Sequence, residues 1–576
     1  MIFPPIYDVR PIKNLKDMIE QSSTMFAEKI AFNIKCKDNT YKGIKYSEFK
    51  NDIDALGTAL LDLNLKNSFI AVIGENRYEW CVTYLSVVNG VGVIVPLDKE
   101  LPNSDLENLL NNSNANAIVY SGRLFHDRLK ELSPKLISIK YYINMDIEEH
   151  ENDSFLSFKC LVKKGRELLN SGNKDYIDSE IDENALSALI YTSGTTDFAK
   201  GVMLSHKNIC SNIMSVCSSL YIDSSDSVLS ILPLHHTYEC TAGFLVMIYN
   251  GVTISFNEGL KYIAKNLQET KPTLLISVPL ILENMYRKIW TQAEKNKSLK
   301  IKLKFGLFIS NLLYNVFKID IRKKLFKQIL DNVGGRLRLV ISGAAAIDPK
   351  VSKGLSNFGI TIRQGYGLTE ASPIVSVNRD EIFRDDSAGL PLPGLDVRIN
   401  NPDQDGLGEI IVKGDSVMLG YYKNDAATKA VLRDGWLFTG DLAKMDEKGF
   451  IYITGRQKNV IVTKNGKNIF PEEVEAYINK SPYVLESLVT GKEDEKTGET
   501  IVSAQIVPDM EAIKAKLKMD SDPSAEVVYK LIKSEIKSIN RNMPLYKRVI
   551  DINIRETEFV KTTTKKIKRY LEKNHV

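Results

Sequence analysis

Short apolar segments alternate with segments whose apolar residues have helical spacing. This alternation constrains the fold of the chain more than any other feature. The segments that we predict as buried strands are Phe69–Gly74, Val91–Pro96, Ala117–Tyr120, Thr273–Val278 and Leu337–Ser342. The helices predicted between the first of these strands are Arg77–Val88 and Pro102–Leu110. Apolar strands separated by helices are typical of parallel sheets that are covered on both faces. The pattern therefore predicts an α/β fold built from layered subdomains.

The spacing of turns changes in the last third of the chain. The sequence has 576 residues, too many for a single hydrophobic core, so several subdomains are expected. Short strand-like segments joined by Gly and Asp turns predict a β-rich subdomain over about 395–456. A final segment from Gln457 has its own strands and helices. We therefore predict a large N-terminal domain over residues 1–456 and a small α+β C-terminal domain over residues 457–576.

Charge and cysteine content exclude several classes of function. The net charge of +4 is small for this length and gives no reason to expect a nucleic-acid partner. The six cysteines form no C-x-x-C pair, which argues against a zinc site or a disulfide framework. The longest apolar run, Thr241–Phe256, is too short to span a bilayer and is interpreted as a buried helix, a turn and a strand. With no secretory pattern at the N-terminus, we expect a cytoplasmic protein.

One segment concentrates groups that bind phosphate. Tyr191–Gly201, YTSGTTDFAKG, follows an apolar strand and combines hydroxyls, glycines and a lysine. Backbone N–H groups and hydroxyls of such a loop donate to phosphate oxygens, and the lysine adds positive charge. The segment does not match the Walker P-loop pattern. The candidate binding residues are Thr192, Ser193, Gly194, Thr195, Thr196 and Lys200.

Further segments carry polar residues in patterns that are ambiguous when each is taken alone. A histidine pair, a small-residue turn, a turn aspartate and a basic tail all have ordinary structural interpretations. The segments are PLHHTYE (233–239), SGAA (342–345), QGYGLTEASP (364–373), WLFTGD (436–441), GRQK (455–458), NGKNIFPEE (465–473) and KTTTKKIKR (561–569). Their combination in one chain is more informative than any single one.

Together these segments resemble the adenylate-forming superfamily of acyl-CoA synthetases, luciferases and peptide-synthetase adenylation domains. YTSGTTDFAKG is similar to its signature loop YTSGTTGxPKG, with Asp197 and Ala199 in place of Gly and Pro. The other segments follow in the family's order over nearly the whole chain. The resemblance is closest to long-chain fatty acyl-CoA synthetases, through PLHHTYE, GGRLRLVISGAA, VMLGYY and a long insertion between Tyr286 and Gly334.

The resemblance implies roles in nucleotide binding. His236 would lie near the substrate carboxylate. Tyr366 would stack on adenine, Thr369 would contact the α-phosphate, and Glu370 would bind Mg²⁺. Further candidates that would line the ATP or AMP site are Gly343, Ala344, Ala345, Gly365, Gly367, Asp441 and Arg456. Asp441 would hold both ribose hydroxyls, since a carboxylate offers two acceptors.

The resemblance also implies two chemical steps. ATP and Mg²⁺ would convert a fatty acid to acyl-AMP and pyrophosphate, with Lys566 as the catalytic lysine. The mobile C-terminal domain would then turn at Lys458, and a loop containing Gly466 and Lys467 would serve thioester formation with coenzyme A. We therefore expect a long-chain fatty acid–CoA ligase. Two alternatives stay open: an acyl carrier protein as acceptor, or a catalytically weakened lipid- or nucleotide-binding protein.

The insertion combines apolar residues with positive charge. From Arg287 to Lys327 it has twelve Lys or Arg residues and two acidic residues, Glu294 and Asp320. Basic amphipathic helices bind anionic bilayers, so peripheral membrane contact is one interpretation. The other is a helix that packs on its own domain and exposes its lysines to water.

Overall fold

The computed structural model describes residues 3–192, 199–462, 467–494, 499–561 and 567–572. The chain divides into two compact units. Unit 1 comprises Met1–Val397, Val412–Leu437 and Glu447–Ile451. Unit 2 comprises Arg398–Ile411, Phe438–Asp446 and Tyr452–Val576. The domain division at residues 456 and 457 stays a prediction.

Helices are distributed along both units. In chain order the α-helices of the described residues are α1 (Leu15–Met25), α2 (Tyr46–Asp62), α3 (Tyr78–Ser86), α4 (Asn103–Ser113), α5 (Gly122–Leu132), α6 (Phe158–Asn170), α7 (His206–Cys217), α8 (Val246–Tyr249), α9 (Ile263–Thr270), α10 (Pro279–Glu294), α11 (Lys297–Phe317), α12 (Arg322–Leu325), α13 (Lys327–Asp331), α14 (Pro349–Asn357), α15 (Asp425–Val431), α16 (Pro471–Ile478), α17 (Met510–Leu517), α18 (Ala525–Asn540) and α19 (Arg569–Glu572). Short 3₁₀ turns lie at Ser133–Lys135, Leu260–Tyr262, Thr369–Ala371, Gln457–Asn459 and Leu545–Lys547, and π-helical turns at Val87–Val91 and Glu239–Leu245.

Strands form most of the interior. In chain order those described are β1 (Ile30–Lys35), β2 (Tyr41–Lys45), β3 (Ser68–Ile73), β4 (Gly92–Leu97), β5 (Ala117–Tyr120), β6 (Tyr141–Asn144), β7 (Phe155–Ser157), β8 (Leu186–Thr192), β9 (Lys200–Ser205), β10 (Ser227–Ser230), β11 (Thr253–Phe256), β12 (Leu274–Ser277), β13 (Leu339–Ser342), β14 (Thr361–Gly367), β15 (Ile374–Val377), β16 (Leu390–Pro391), β17 (Asp396–Asn400), β18 (Gly408–Lys413), β19 (Gly420–Tyr421), β20 (Leu432–Arg433), β21 (Trp436–Met445), β22 (Ile451–Arg456), β23 (Ile461–Val462), β24 (Asn468–Ile469), β25 (Val484–Glu493), β26 (Thr500–Pro508) and β27 (Val549–Ile554). Several are apolar and buried along their whole length, among them β5, β12 and β13.

Two large sheets make up the core of unit 1. One has nine strands in the order β16-β15-β14-β13-β12-β10-β11-β1-β2, and its six central strands, β14 to β1, run parallel. The other has eight strands in the order β19-β9-β8-β4-β3-β5-β6-β7, parallel from β8 to β7. Helices connect the parallel strands, as the apolar pattern predicts. The predicted α/β fold class is confirmed.

Smaller sheets form the rest of the structure. A five-stranded sheet has the order β17-β18-β21-β20, with β22 paired to β21. A three-stranded sheet of β25, β26 and β27 packs with α16 and α18 around one apolar cluster in unit 2. A two-stranded sheet joins β23 and β24 antiparallel. The strand-rich segment predicted after Gly394 therefore contains strands β17 to β22.

The longest apolar run has the predicted course. It passes through the π-helical turn Glu239–Leu245 and helix α8, turns at Gly251 with a φ of 73°, and enters β11. Glycine suits this turn because it adopts left-handed backbone at little cost. Among the described residues, no helix is both long enough and apolar enough to cross a membrane.

Candidate functional site

Four neighbouring parallel strands of unit 1 end at the predicted site. In the sheet, β10, β12, β13 and β14 lie side by side, although the chain passes from β10 to β11 on the opposite side before it returns to β12. Such a reversal of strand order opens a crevice beyond the carboxyl ends of the strands, where α/β proteins bind ligands. The predicted residues of PLHHTYE, SGAA and QGYGLTEASP follow β10 and β13 or lie at the end of β14.

Tyr238 connects two of these strand ends. Its hydroxyl donates to the carbonyl of Ile341 at 3.0 Å and to that of Ser277 at 3.4 Å. A Cβ atom at Gly343 would lie 2.8 Å from Cζ of the Tyr238 ring, so this position excludes a side chain. Ala344 follows with a φ of 70°, and its side chain is exposed with that of Ala345. Small residues thus line the exit of β13, as an adenine wall would require.

The end of β14 brings hydroxyl and glycine residues into the same region. Oγ1 of Thr369 lies 3.0 Å from Oγ1 of Thr237, which connects the turn after β14 to the segment after β10. Tyr366 is half-buried between Gly365 and Gly367. A Cβ at Gly367 would meet the Pro373 carbonyl at 2.0 Å, so close backbone approach requires glycine here.

Glu370 and Lys200 share a neighbour, Tyr421. The Tyr421 hydroxyl donates to Oε1 of Glu370 at 2.8 Å. Nζ of Lys200 lies 4.9 Å from the centre of the Tyr421 ring, within the range of a cation–π interaction. The predicted metal ligand and the predicted phosphate-binding lysine therefore lie on two sides of one aromatic side chain.

The phosphate loop is described only at its ends. Ser193, Gly194, Thr195 and Thr196 lie outside the described residues. Thr192 pairs with Lys200 across the antiparallel strands β8 and β9, and its hydroxyl donates to the Lys200 carbonyl at 3.3 Å. The two strands thus hold both ends of the loop together.

The histidine segment is held by residues from the second sheet. Asn76, after β3, donates to the Leu232 carbonyl at 2.6 Å and accepts from the Leu234 N–H at 3.0 Å. Nε2 of His235 lies 3.6 Å from a carboxylate oxygen of Asp98, after β4. The ring of the half-buried His236 lies 4.3 Å from that of His235, centroid to centroid. Residues at the carboxyl ends of both sheets thus meet at this segment.

Glu239, the last residue of the same segment, is a buried carboxyl group. Its Oε1 accepts a hydrogen bond of 2.6 Å from the Ser230 hydroxyl, and Ser230 also accepts from the Asn76 amide at 2.8 Å. Burial raises the pKa of Glu239 to about 8, so the carboxyl is mostly protonated near neutral pH. The Asn76–Ser230–Glu239 chain therefore connects the last residue of the histidine segment to the end of β10.

The predicted residues of unit 2 form a separate group. Asp441 in β21 is 5% exposed, and its Oδ1 lies 3.0 Å from Nε of Arg456 in β22. Lys458 lies in the 3₁₀ turn that follows β22, and Nζ of Lys467 lies 4.6 Å from the ring centre of Tyr546. Gly466 and Lys566 lie outside the described residues.

Sequence reasoning missed the residues that hold the site together. Thr237 and Tyr238 lie inside PLHHTYE, and Tyr421 lies inside VMLGYY, but neither motif assigned them a contact. Asn76 and Asp98 carry no local indication at all. Their positions after β3 and β4 would have suggested them, because residues at the carboxyl ends of parallel strands share one edge.

Comparison with known proteins covers most of the chain. Residues 19–422 match the AMP-binding enzyme family. The chain belongs to this family. Residues 458–572 match the AMP-binding enzyme C-terminal domain. The predicted membership of the adenylate-forming superfamily is confirmed, and the chain is an enzyme of that family.

Relatives of this AMP-binding enzyme carry names that concern fatty acids. Long-chain-fatty-acid–CoA ligase 1 of Cavia porcellus is 26% identical over 541 residues, 88% of this chain and 76% of that protein. The chloroplastic long-chain-fatty-acid–[acyl-carrier-protein] ligase AEE15 of Arabidopsis thaliana is 26% identical over 592 residues, 91% of this chain and 80% of that protein. The crystal structure of the anthranilate CoA ligase AuaEII with anthranoyl-AMP is 20% identical with a TM-score of 0.76, covering 100% of this chain and 98% of that one. At that identity the likeness shows the fold.

Proposed function

We propose that this AMP-binding enzyme is a long-chain fatty acid–CoA ligase. The observation that carries the proposal is the convergence of Gly343, Thr369 and Glu370 at adjacent strand ends, with Lys200 beside Glu370 through Tyr421. A small-residue wall, a hydroxyl, a carboxylate and an ammonium group are the kinds of group that bind a nucleotide, and their proximity supports the proposal. The names of the full-length relatives supply the acid and the acceptor.

The reaction proceeds through two substitutions. A carboxylate oxygen of the fatty acid attacks the α-phosphorus of ATP, and pyrophosphate leaves with the electrons of the broken P–O bond. The coenzyme A sulfur then attacks the acyl carbon, its proton is lost, and AMP leaves. Lys200 and Lys566 would supply positive charge to the phosphates in the first step. The family resemblance assigns the turn at Lys458, and Gly466 with Lys467, to the second.

The nucleotide itself would contact residues from several of the motifs. Tyr366 offers an aromatic face for adenine, and Asp441 offers two carboxylate acceptors for the ribose hydroxyls. Arg456, paired with Asp441 and about half exposed, would reach the ribose or a phosphate. His236 would lie near the fatty-acid carboxylate. These roles rest on the motif positions and on the residue chemistry.

The residues around Glu370 fit a magnesium ion. Mg²⁺ is held by one or two carboxylates together with phosphate oxygens and waters, rather than by a cage of protein ligands. Among the described residues there is no group of three or more His, Cys, Asp or Glu that could hold a metal. Glu370, which shares the neighbour Tyr421 with Lys200, is the proposed donor. When bound, the ion would neutralise charge on the phosphates, and Glu370 would be its protein ligand.

The acceptor is tested by the products. The relative from Arabidopsis is named for an acyl carrier protein as acceptor, so that acceptor is the second candidate. ATP–pyrophosphate exchange with acids from acetate to long chains should be fastest with long chains. Product analysis with coenzyme A and holo-acyl carrier protein should then give acyl-CoA. A preference for acetate or an aromatic acid would contradict the substrate, and acyl-carrier-protein product would contradict the acceptor. No exchange with any acid would favour a weakened binding protein.

We also propose that this otherwise cytoplasmic enzyme contacts anionic membranes through helix α11. Five apolar side chains, each between 47% and 67% exposed, follow one another at spacings of three or four residues and form an apolar ridge: Ile301, Phe305, Phe308, Leu312 and Val316. The opposite face carries Leu303 and Ser310, and Leu303 packs with Phe326 and Phe358 in the domain. The helix therefore packs on its own domain by one face and presents an apolar face to solvent.

Charge favours a lipid surface as the occupant of the ridge. At about 100° per residue, Lys300 and Lys304 lie along one side of the ridge and Lys302 along the other. A second copy of the chain would bring these lysines against each other, whereas an anionic bilayer attracts each basic residue by about 1 kcal/mol. Long acyl chains also partition into bilayers, since each buried CH₂ contributes about 0.8 kcal/mol.

The membrane surface is tested by sedimentation with vesicles. The wild type should sediment with phosphatidylglycerol-containing vesicles at low salt and much less with phosphatidylcholine alone. Phe305→Ser with Phe308→Ser should reduce this binding at all salt concentrations, and neutralising Lys300, Lys302 and Lys304 should reduce it mainly at low salt. Ile137→Ser is the matched control, because Ile137 is 94% exposed and isolated from α11 in the sequence.

The controls distinguish binding from damage to the enzyme. All variants should retain activity on a soluble medium-chain acid. A wild type that does not sediment at low salt would contradict membrane contact. A change of oligomeric state in the double serine variant would assign the ridge to a second copy instead.

A further inference from the structure

Tyr421 occupies a position between the two charged groups expected to hold ATP. Its hydroxyl donates to Glu370 and its ring faces the Lys200 ammonium group, at the distances given above. The donor and the acceptor of this hydrogen bond are far apart in sequence, since Glu370 lies 51 residues before Tyr421. One side chain thus contacts both the expected metal ligand and the lysine next to the phosphate loop.

The backbone fixes Tyr421 firmly. Strand β19 pairs antiparallel with β9, placing Tyr421 opposite Val202 and Gly420 opposite Met203. The Tyr421 N–H also donates a hydrogen bond of 2.8 Å to Oγ1 of Thr428. The side chain is almost completely buried. A buried ring held by a paired strand loses little further entropy when it orients its neighbours.

We propose that Tyr421 is a positioning residue that sets the Glu370 carboxylate and the Lys200 ammonium group for the magnesium–ATP complex. The inference rests on the proposed function, because it takes Glu370 as the metal ligand. The hydrogen bond from the Tyr421 hydroxyl to Oε1 would hold the Glu370 carboxylate in one orientation.

The chemistry of tyrosine suits this position. A phenol is a neutral donor, so it orients the carboxylate without cancelling its charge, as an arginine or lysine would. Hydrogen bonds of this kind to metal-ligating groups fix their orientation, and their loss typically weakens metal binding about 10- to 100-fold. The ring attracts the Lys200 ammonium group through its face. Hydroxyl and ring therefore have separable effects.

The test uses Mn²⁺ as a probe in the full-length protein with ATP. Electron paramagnetic resonance of free Mn²⁺ gives the dissociation constant of the bound ion without any turnover. Tyr421→Phe removes only the hydroxyl and should raise this constant about tenfold. Tyr422→Phe is the matched control, because the neighbouring ring packs on Phe69 with centroids 5.6 Å apart, and this contact survives. It should leave Mn²⁺ binding unchanged.

A second variant separates the ring from the hydroxyl. Tyr421→Leu should weaken Mn²⁺ binding as Tyr421→Phe does, and should also weaken metal-free ATP binding, measured by calorimetry, about threefold through the loss of the cation–π contact. Tyr421→Phe should leave metal-free ATP binding unchanged. Thermal unfolding of all three variants reports their folding, and only Tyr421→Leu is expected to lower the melting temperature clearly.

Glu370→Gln distinguishes failure of this inference from failure of the proposed metal role. If Glu370→Gln weakens Mn²⁺ binding and Tyr421→Phe does not, the positioning role of Tyr421 is wrong while Glu370 stays the ligand. If Glu370→Gln leaves Mn²⁺ binding unchanged, the proposed metal role itself is wrong. Equal weakening by Tyr421→Phe and Tyr422→Phe would overturn the inference as well.

Discussion

The predicted site residues of the two units are held in different ways. In unit 1, Thr369, Glu370 and Gly343 lie at the ends of parallel strands and contact residues from distant parts of the chain. In unit 2, Asp441 and Arg456 lie on neighbouring strands that are close in sequence and form an ion pair. Glu370 accepts a hydrogen bond from a neutral hydroxyl, that of Tyr421, whereas Asp441 forms an ion pair with the guanidinium group of Arg456.

This difference suggests different roles for the Glu370 and Asp441 carboxylates. A neutral hydroxyl donor leaves the charge of a carboxylate available to a cation, which suits a metal ligand. A carboxylate paired with arginine is already compensated, which suits a role as an acceptor for ribose hydroxyls. The residues around Glu370 would then bind the charged phosphates, and Asp441 would bind the ribose. Each of the following predictions tests a part of that comparison.

Lys566→Ala should have the largest effect. The family resemblance assigns this lysine to the first step only, so acyl-adenylate formation should fall about 10²- to 10³-fold, as expected when one charge-stabilising group is lost. Thioester formation from supplied acyl-adenylate should be nearly unchanged. Rapid-quench assays of the two half-reactions measure both quantities.

The neighbouring lysines serve as controls for that prediction. Lys565→Ala and Lys568→Ala should retain adenylation. Equal loss of both half-reactions in Lys566→Ala would contradict a step-specific role for unit 2. Unchanged adenylation in that variant would transfer the role to one of its neighbours.

Glu370→Gln should have the next largest effect. The amide keeps the size of the side chain but loses its charge, so the Mg²⁺ concentration for half-maximal adenylation should rise about 30-fold. A magnesium titration of pyrophosphate exchange measures this, and Glu381→Gln, an exposed carboxyl of the same unit, is the control. An unchanged titration would show that unit 1 does not supply the metal ligand.

Gly343→Ala should destabilise unit 1 by about 2 kcal/mol, because the new methyl would overlap the half-buried Tyr238 ring. Gly306→Ala is the matched control. Its Cβ would lie 3.3 Å from the flexible end of Leu325, and alanine favours the helix. Denaturant unfolding should therefore separate the two variants. Similar stability for both variants would mean that the backbone after β13 or the Tyr238 ring can shift to accommodate the methyl group.

Asp441→Asn should have the smallest effect of the four. The amide oxygen still accepts one ribose hydroxyl, so the KM for ATP should rise about fivefold, corresponding to one weakened hydrogen bond of about 1 kcal/mol. Stability should change little, since Arg456 is about half exposed and stays solvated. Steady-state kinetics and thermal unfolding measure both. A large change in the Mg²⁺ requirement would contradict the different roles of Glu370 and Asp441.

Local patterns in the sequence predicted much of what the structure contains. Apolar segments predicted strands β3, β4 and β5 within one or two residues, because burial on both faces of a parallel sheet demands uninterrupted apolar side chains. The basic and apolar spacing of the insertion predicted a helix with two faces, and α11 has them. The family motifs indicated which residues would bind a nucleotide, although their roles stay predictions.

Contacts between distant residues could not be predicted in this way. Thr237 and Thr369 are separated by 132 residues, Tyr238 and Ile341 by 103, and Asn76 and Ser230 by 154. No periodicity extends over such distances, so nothing local indicated that Tyr421 would meet Glu370.

The sequence by itself determined which segments become strands and helices, and which of them carry polar residues fit for a nucleotide. The tertiary structure decided which of those residues meet. The physical reason is that secondary structure follows from local burial and hydrogen bonding, whereas the neighbours of a side chain follow from the order of strands in the sheet. In this chain the return from β11 to β12 brings the ends of β10, β12, β13 and β14 together, and the pairing of β19 with β9 brings Tyr421 to Glu370 and Lys200.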